Sequence, residues 1–311
     1  MNPTANPWLE RRVLAYAHQG GAKEAPSSTL FAIARAREAG VGGIELDVHA
    51  TADGVPVVCH DPSVDRTTNG SGEIRHHRLA ELLELDNAYW FVPGEDTPHD
   101  RPPGDYPLRG RAPAERDLRI ATLDEALEAT RGLVVNLDIK RTAPAVEPYE
   151  HLVAAAIRRH GREGDVIVAS FDDRATDAFA RIAPDIATSA GTAAVAELYQ
   201  SLHAGGTVPE SILRHAAVQV PPSVEGHVIV DDLFVEALHE AGIAVHVWTI
   251  DEPEEMERLV ALGVDGIISD RPSVLVAVLE RLGVAWRPGA DPSGLSSGRT
   301  GAAPPAGPPS R

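Results

Sequence analysis

Cysteine is almost absent from this chain of 311 residues: Cys59 is the single one, so no intramolecular disulfide can form. A reducing compartment is therefore expected. Long apolar runs are missing as well. No segment approaches the roughly 20 apolar residues of a membrane span, and residues 1–12 carry no signal-peptide core. Together these predict a soluble, cytoplasmic protein without a transmembrane segment. Basic residues are scarce, with 28 Lys and Arg against 46 Asp and Glu and a net charge of −18. That argues against nucleic acid as a partner, since its binding runs on basic surface, and against broad docking on anionic membranes. No Gly-x-Gly-x-x-Gly fingerprint or P-loop follows any strand, and internal repeats are not evident.

The composition that is present, 43% hydrophobic and 24% charged, is that of a globular chain long enough for one large domain. Short apolar strands are predicted near residues 13–17, 43–48, 56–59, 133–139, 166–170, 186–188, 217–220, 244–249 and 266–269. Amphipathic segments at 28–39, 123–129, 149–160, 232–241 and 254–262 lie between them. Thr122-Leu123-Asp124-Glu125 has the form of a helix start, and the acidic run 251–255 suits another, favoured by the macrodipole. Repeated β-α alternation implies a parallel sheet covered on both faces. About eight units in some 270 residues fit a closed (β/α)8 TIM barrel better than an open sheet. The expected organisation is an N-terminal extension over 1–12, a barrel over 13–285 with an insertion at roughly 61–117, and a disordered Pro/Gly/Ser-rich tail over 286–311. Trp90 and Phe91 are expected to form the insertion's own core, and Cys59 to be a small buried hydrophobe.

The chemistry concentrates in the stretch Gly43-Ile44-Glu45-Leu46-Asp47-Val48. Alternate strand residues share a face, so Glu45 and Asp47 point one way and the aliphatics the other. Two carboxylates roughly 7 Å apart on one strand face are not both buried ionised unless something positive sits between them. A hard divalent cation is the simplest candidate; an exposed edge strand is the plainer reading, opposed by the continuous aliphatic side. In the stretch 133–140, Asn136, Asp138 and Lys140 share a face. Asp138 would complete a carboxylate triad, and Lys140 would offer a cation to an anionic group such as phosphate. His18 and His60 both sit where a strand opens into a loop. One such histidine is usually a packing residue, but two beside a carboxylate cluster suit acid–base work at neutral pH. Ser170, Gln219 and Trp248 fall at corresponding strand ends, the active face of a barrel. Trp248 is read equally as a stacking surface or as barrel core. Arg66 and His49 are weaker candidates.

As a set, these residues resemble the glycerophosphodiester phosphodiesterases. The resemblance rests on Ala17-His18-Gln19-Gly20-Gly21, Pro26-Ser27-Ser28-Thr29, Glu45-Leu46-Asp47, His60-Asp61 and Arg66-Thr67-Thr68. It continues through Leu137-Asp138-Ile139-Lys140, Ser170-Phe171, Val247-Trp248-Thr249 and Asp270-Arg271-Pro272. It runs in order over residues 13 to 280. What it implies is hydrolysis of a glycerophosphodiester to glycerol 3-phosphate and an alcohol with a divalent metal, Mg²⁺ or Ca²⁺. Glu45, Asp47 and Asp138 would hold the metal, His18 and His60 would form the acid–base pair, and Lys140 would neutralise phosphate, with Gln19 and Trp248 also on the substrate. The attacking group is either the substrate's own glycerol hydroxyl or water.

Three positions depart from that family. His18-Gln19 stands for its His-Arg, Pro26-Ser27-Ser28-Thr29 for its Pro-Glu-Asn-Thr, and Asp138 for its third metal-binding Glu. Losing an Arg and a Glu together leaves no unpaired buried charge, and Glu24, three positions earlier, is the candidate to replace that Glu. The resemblance therefore implies a metal-dependent phosphodiesterase with a small-molecule phosphodiester as its partner. The alternatives are lysophospholipase D-type cleavage of a lysophospholipid, suggested by the aromatic insertion and the missing Arg, and a catalytically inactive barrel that binds phosphate esters.

Overall fold

The computed structural model describes residues 6–140 and 146–284; the expected tail over 286–311 lies outside them. Among the described residues eleven strands form: β1 (Leu14–His18), β2 (Gly43–Ala50), β3 (Pro56–Val58), β4 (Val134–Ile139), β5 (Val166–Ala169), β6 (Ala187–Ala190), β7 (Ala217–Val220), β8 (Ser223–Val224), β9 (His227–Val228), β10 (Ala244–Val247) and β11 (Gly266–Ser269). Eight of them run parallel in the order β1-β11-β10-β7-β6-β5-β4-β2, and pairing of β1 with β2 closes the ring. β3 adds antiparallel to the end of β2. Helices Leu30–Ala39, Leu123–Ala129, Glu150–Arg159, Asp173–Ile182, Thr192–His203, Asp232–Glu240, Pro253–Leu262 and Pro272–Leu282 alternate with the barrel strands. This is a (β/α)8 barrel. No described helix is long and apolar enough to cross a membrane.

Period-two alternation builds the barrel wall. Ile44, Leu46 and Val48 of β2 join the large cluster between strands and helices, while Glu45 and Asp47 face inward. Thr122 and Glu125 close a reciprocal capping box, Glu125 N–H donating to Thr122 Oγ1 at 3.2 Å and Thr122 N–H to Glu125 Oε2 at 2.9 Å. The acidic run lies at the start of helix Pro253–Leu262, with Glu254 and Glu255 in its first turn. Space inside the ring is tight. A Cβ on Gly43 would lie 2.6 Å from the Tyr16 ring, and one on Gly266 2.8 Å from that of His246. Only glycine fits beside those two rings.

The N-terminal end of the barrel is sealed by residues that the sequence reading placed outside it. Helix Pro7–Glu10 carries Trp8 into a cluster with Leu14, Tyr16, Val134, Ile167, Ala217, Ala244 and Ile268. Asn6 pins it by donating to the carbonyls of Ala216 (2.6 Å) and Gly242 (2.9 Å). Between β3 and β4 the chain makes a long excursion with apolar clusters of its own, around Val57, Ile74 and Leu82 and around Ala88, Phe91 and Leu118. Trp90 Nε1 donates to the Thr68 carbonyl at 2.8 Å, and the Arg109 guanidinium packs on Tyr89, Trp90 and Tyr106. Trp90 and Phe91 are thus local core rather than a lipid-facing patch. Cys59 is buried, its thiol pushed up to about 12 by that burial, and it behaves as a small hydrophobe.

Candidate active site

Strand register assembles the site. His18 of β1 lies opposite Glu45 of β2, and Glu45 opposite Asn136 of β4; two residues further on, Asp47 faces Asp138. The inward side chains form polar layers at the C-terminal mouth, where a cavity of about 360 Å³ opens. His18, Glu45, His60, Asp138, Lys140 and Trp248 all line it. Lys140 Nζ lies 2.7 Å from Asp47 Oδ1 and 2.8 Å from Asp138 Oδ2. Burial would lower the lysine's pKa, but Asp47, Asp138 and Glu45 together hold it above its ordinary value. The pKa values of Glu45 and Asp138 are raised as well. Burial raises both, and the charge of Asp47 adds to it in each case.

The two histidines face each other across this cluster, ring centroids 6.3 Å apart and nearly perpendicular. Each is backed by a carboxylate. His18 Nδ1 is 2.6 Å from Asp270 Oδ1, and His60 Nδ1 is 2.6 Å from Asp61 Oδ1. Such a bond sets the tautomer and leaves Nε2 as the reactive nitrogen; that of His18 lies 3.1 Å from the Gln19 side-chain amide and 3.7 Å from Glu45 Oε2. Burial alone would depress His18, but the Asp270 hydrogen bond and the Glu45 charge outweigh it and raise its pKa to about 9. Asp61 is raised by burial but held well below the usual carboxylate range by His60 and Arg66, whose Nε donates to Asp61 Oδ2 at 2.6 Å. Asp270 is steadied from behind, its backbone N–H donating to Asp251, which also takes a hydrogen bond from Lys23.

A hard cation suits the donor set. Asp47 Oδ2 and Asp138 Oδ1 are buried without hydrogen-bond partners, and three neighbouring carboxylates meet a single ammonium. As it stands, no group of three or more His, Cys, Asp or Glu among the described residues is arranged to hold an ion; Lys140 bridges Asp47 and Asp138 instead.

Several sequence candidates have other employment. Glu24 does not replace the family's Glu; it accepts hydrogen bonds from Ser273 at the start of helix Pro272–Leu282. Gln219 pairs reciprocally with Asn136 across the interior, at 2.8 and 3.2 Å. Ser170 Oγ donates to the Ile139 carbonyl, and His49 Nε2 contacts the His60 carbonyl at 3.3 Å. Trp248 faces the cavity and meets Phe171 edge-on, centroids 5.5 Å apart. Sequence reasoning overlooked the roles of Asp61, Asp270 and Phe171. The adjacency of Asp61 to His60, and of Asp270 to the last barrel strand, was the available signal.

The pattern of the Glycerophosphoryl diester phosphodiesterase family matches residues 18–274. The chain belongs to that family. A glycerophosphodiester phosphodiesterase of Caldanaerobacter subterraneus subsp. tengcongensis is 33% identical over 275 residues, covering 88% of this chain and all of the relative. Among solved structures, a glycerophosphodiester phosphodiesterase from Agrobacterium tumefaciens superposes with TM-score 0.65 at 25% identity, over 85% of this chain and 99% of its own. An Oleispira antarctica phosphodiesterase, solved with its product sn-glycerol-3-phosphate, gives TM-score 0.65 at 25% identity over 88% and 99%. As a member of the glycerophosphodiester phosphodiesterases, this chain is a phosphoric diester hydrolase.

Proposed function

We propose that the enzyme hydrolyses glycerophosphodiesters to glycerol 3-phosphate and an alcohol, with His18 and His60 as the acid–base pair. The observation that carries this reading is the pair of carboxylate-backed imidazoles facing each other across 6.3 Å, above a buried carboxylate–lysine cluster. His18, raised to about 9, enters protonated at neutral pH and donates its proton to the departing alcohol oxygen. His60, oriented by Asp61, accepts the proton of the attacking oxygen: attack by water gives glycerol 3-phosphate directly, and attack by the substrate's glycerol hydroxyl gives a cyclic phosphate that water then opens to glycerol 3-phosphate. Asp270 and Asp61 hold the two rings in register, so little reorganisation remains when charge develops. Lys140 stands beside Asp138 at the cavity wall, where its positive charge attracts the phosphoryl oxygens. A divalent cation held by Glu45, Asp47 and Asp138, Mg²⁺ or Ca²⁺, would supply Lewis-acid stabilisation of charge on those oxygens.

One observation favours a second reading, cleavage of lysophospholipids. The outer wall of the mouth is apolar, formed by Phe171, Val195, Val220, Val224 and Trp248. Phe171 and Val224 are 57% and 47% exposed. The test is turnover of glycerophosphocholine and lysophosphatidylcholine by metal-stripped protein, with Mg²⁺, Ca²⁺ or chelator added back. Metal-restored turnover of the water-soluble diester supports the first reading, and a strong preference for the lipid supports the second. Undiminished turnover in chelator would overturn the metal assignment.

A further inference from the structure

His60 is the less enclosed of the two facing histidines: its side chain is 39% exposed against 19% for His18. Packing therefore fixes its ring less, and polar contacts have more to do. With His18, Gln19 and Arg66 it lines a second cavity of about 240 Å³ beside the long excursion between β3 and β4. Asp61, which backs the His60 ring through Oδ1, is itself held by Arg66. The guanidinium Nε donates to Asp61 Oδ2 at 2.6 Å and Nη2 to Oδ1 at 3.4 Å, while Nη1 donates to Thr97 Oγ1 at 3.0 Å. A two-point contact of this kind fixes the carboxylate plane, which a single contact leaves free to turn. Every guanidinium nitrogen is engaged within the protein, which sets Arg66 apart from a phosphate ligand.

The excursion holds that guanidinium from behind. The Arg66 carbonyl lies 3.0 Å from His99 Nε2, Thr67 Oγ1 donates to Asn87 Oδ1 at 2.5 Å, and the Thr68 carbonyl takes the Trp90 indole N–H. Thr97 meets Arg66 from a backbone with φ +43°, a left-handed conformation that a β-branched residue rarely adopts. Strain of this kind persists only where surrounding contacts over-determine it, and it gathers at functional sites.

We propose that Arg66 is a positioning residue for the general base, and that the excursion serves as its mount: Thr97 and the segment 66–68 hold Arg66, Arg66 holds the Asp61 carboxylate, and Asp61 holds the His60 ring. The proposal rests on the phosphodiesterase reading above. Besides Asp61 and Arg66, His60 shares the second cavity with His18 and Asp270 and, from the excursion, Glu95 and Asp96. Toward the barrel it faces Asp138 and Lys140 at the end of β4, and its carbonyl meets His49 of β2. Of these charges Arg66→Met removes one, a cation that disfavours an imidazolium beside it. The acidic limb of kcat/KM, where the general base takes up its proton, should therefore move to higher pH.

The test is the pH profile of kcat and KM for wild type, Arg66→Met, Arg66→Lys and Thr97→Val, with Mg²⁺ or Ca²⁺ supplied. Its substrate is glycerophosphocholine, or lysophosphatidylcholine where that is turned over faster. Arg66→Met should lower kcat by up to about 10²-fold, leave KM nearly unchanged and shift the limb upward, with the His60 imidazole resonances followed by NMR moving in step. Arg66→Lys keeps the charge without the fork, so its limb should stay near that of wild type while kcat remains reduced. Thr97→Val removes one hydrogen bond and leaves the Asp61 pair in place; it should lower kcat by a smaller factor, and it tests the mount even where Arg66→Met does not fold. A loss confined to KM would make Arg66 a substrate contact and overturn the proposal. So would a fall in kcat with the limb unmoved in folded Arg66→Met, or wild-type kcat in Thr97→Val. Turnover of neither substrate by wild type would overturn the phosphodiesterase reading and this role with it.

Discussion

His18 and His246 both sit on barrel strands and point to the interior, yet their environments drive them in opposite directions. His246 is fully buried between Trp8 and Tyr16, neither ring nitrogen has a hydrogen-bond partner, and burial lowers its pKa to about 3. His18 also suffers desolvation, but Asp270 and Glu45 stand against it and raise its pKa to about 9. The same residue type in the same ring of strands is inert where it meets only aromatic and apolar groups, and chemically poised where carboxylates reach it. The barrel thus divides into a sealed N-terminal half and a charged C-terminal half.

The strongest way to break this comparison is to remove each ring in turn. His18→Ala should lower kcat by about 10²- to 10⁴-fold, the usual worth of a general acid or base. His246→Leu should leave turnover within a few-fold of wild type. Circular dichroism would establish that both variants fold, and comparable losses in the two would refute the division. A somewhat smaller effect is expected from unsealing the base. Trp8→Ala should cost about 3–5 kcal/mol of unfolding free energy, read from denaturant midpoints, with kcat/KM unchanged while the protein remains folded. A fall in kcat/KM matching the loss of stability would couple the two halves after all.

The smallest effect is the most diagnostic, because it changes sign. A group whose folded pKa lies below its unfolded value loses stability as pH falls; one whose folded pKa lies above it loses stability as pH rises. For His246 the window runs from 6.5 down to about 3, and for His18 from 6.5 up to about 9. Each side chain contributes a slope of at most about 1.4 kcal/mol per pH unit within its window. In chelator, wild type minus His246→Leu should therefore worsen on acidification, and wild type minus His18→Gln should worsen on alkalinisation. Slopes of the same sign would contradict the opposed environments.

The histidines also show where sequence reading stops. His18 and His60 stand out because each follows an apolar strand run, and Glu45 and Asp47 because the pleat alternates. His246 has the same strand context in Ala244–Val247, yet nothing local separates it from a catalytic histidine. The difference is made by Trp8 and Tyr16 on one side and by Asp270, 252 positions from His18, on the other. Glu24 failed as a substitute for the same reason: proximity in sequence to position 27 did not keep it in the site, because the chain turns it toward Ser273.

By itself the sequence determined the barrel, through the count of β-α units, and the inward face of each strand, through period-two alternation. It also determined which carboxylates share the wall with Lys140. Only the tertiary structure decided that residues 6–12 seal the base, that Asp61 and Asp270 back the two histidines, and that Gln19 opens onto a second cavity. Side-chain alternation is a property of neighbouring residues along one strand and is visible locally. Electrostatic partnership and burial are properties of distance in space, and in a closed barrel the last strand lies beside the first.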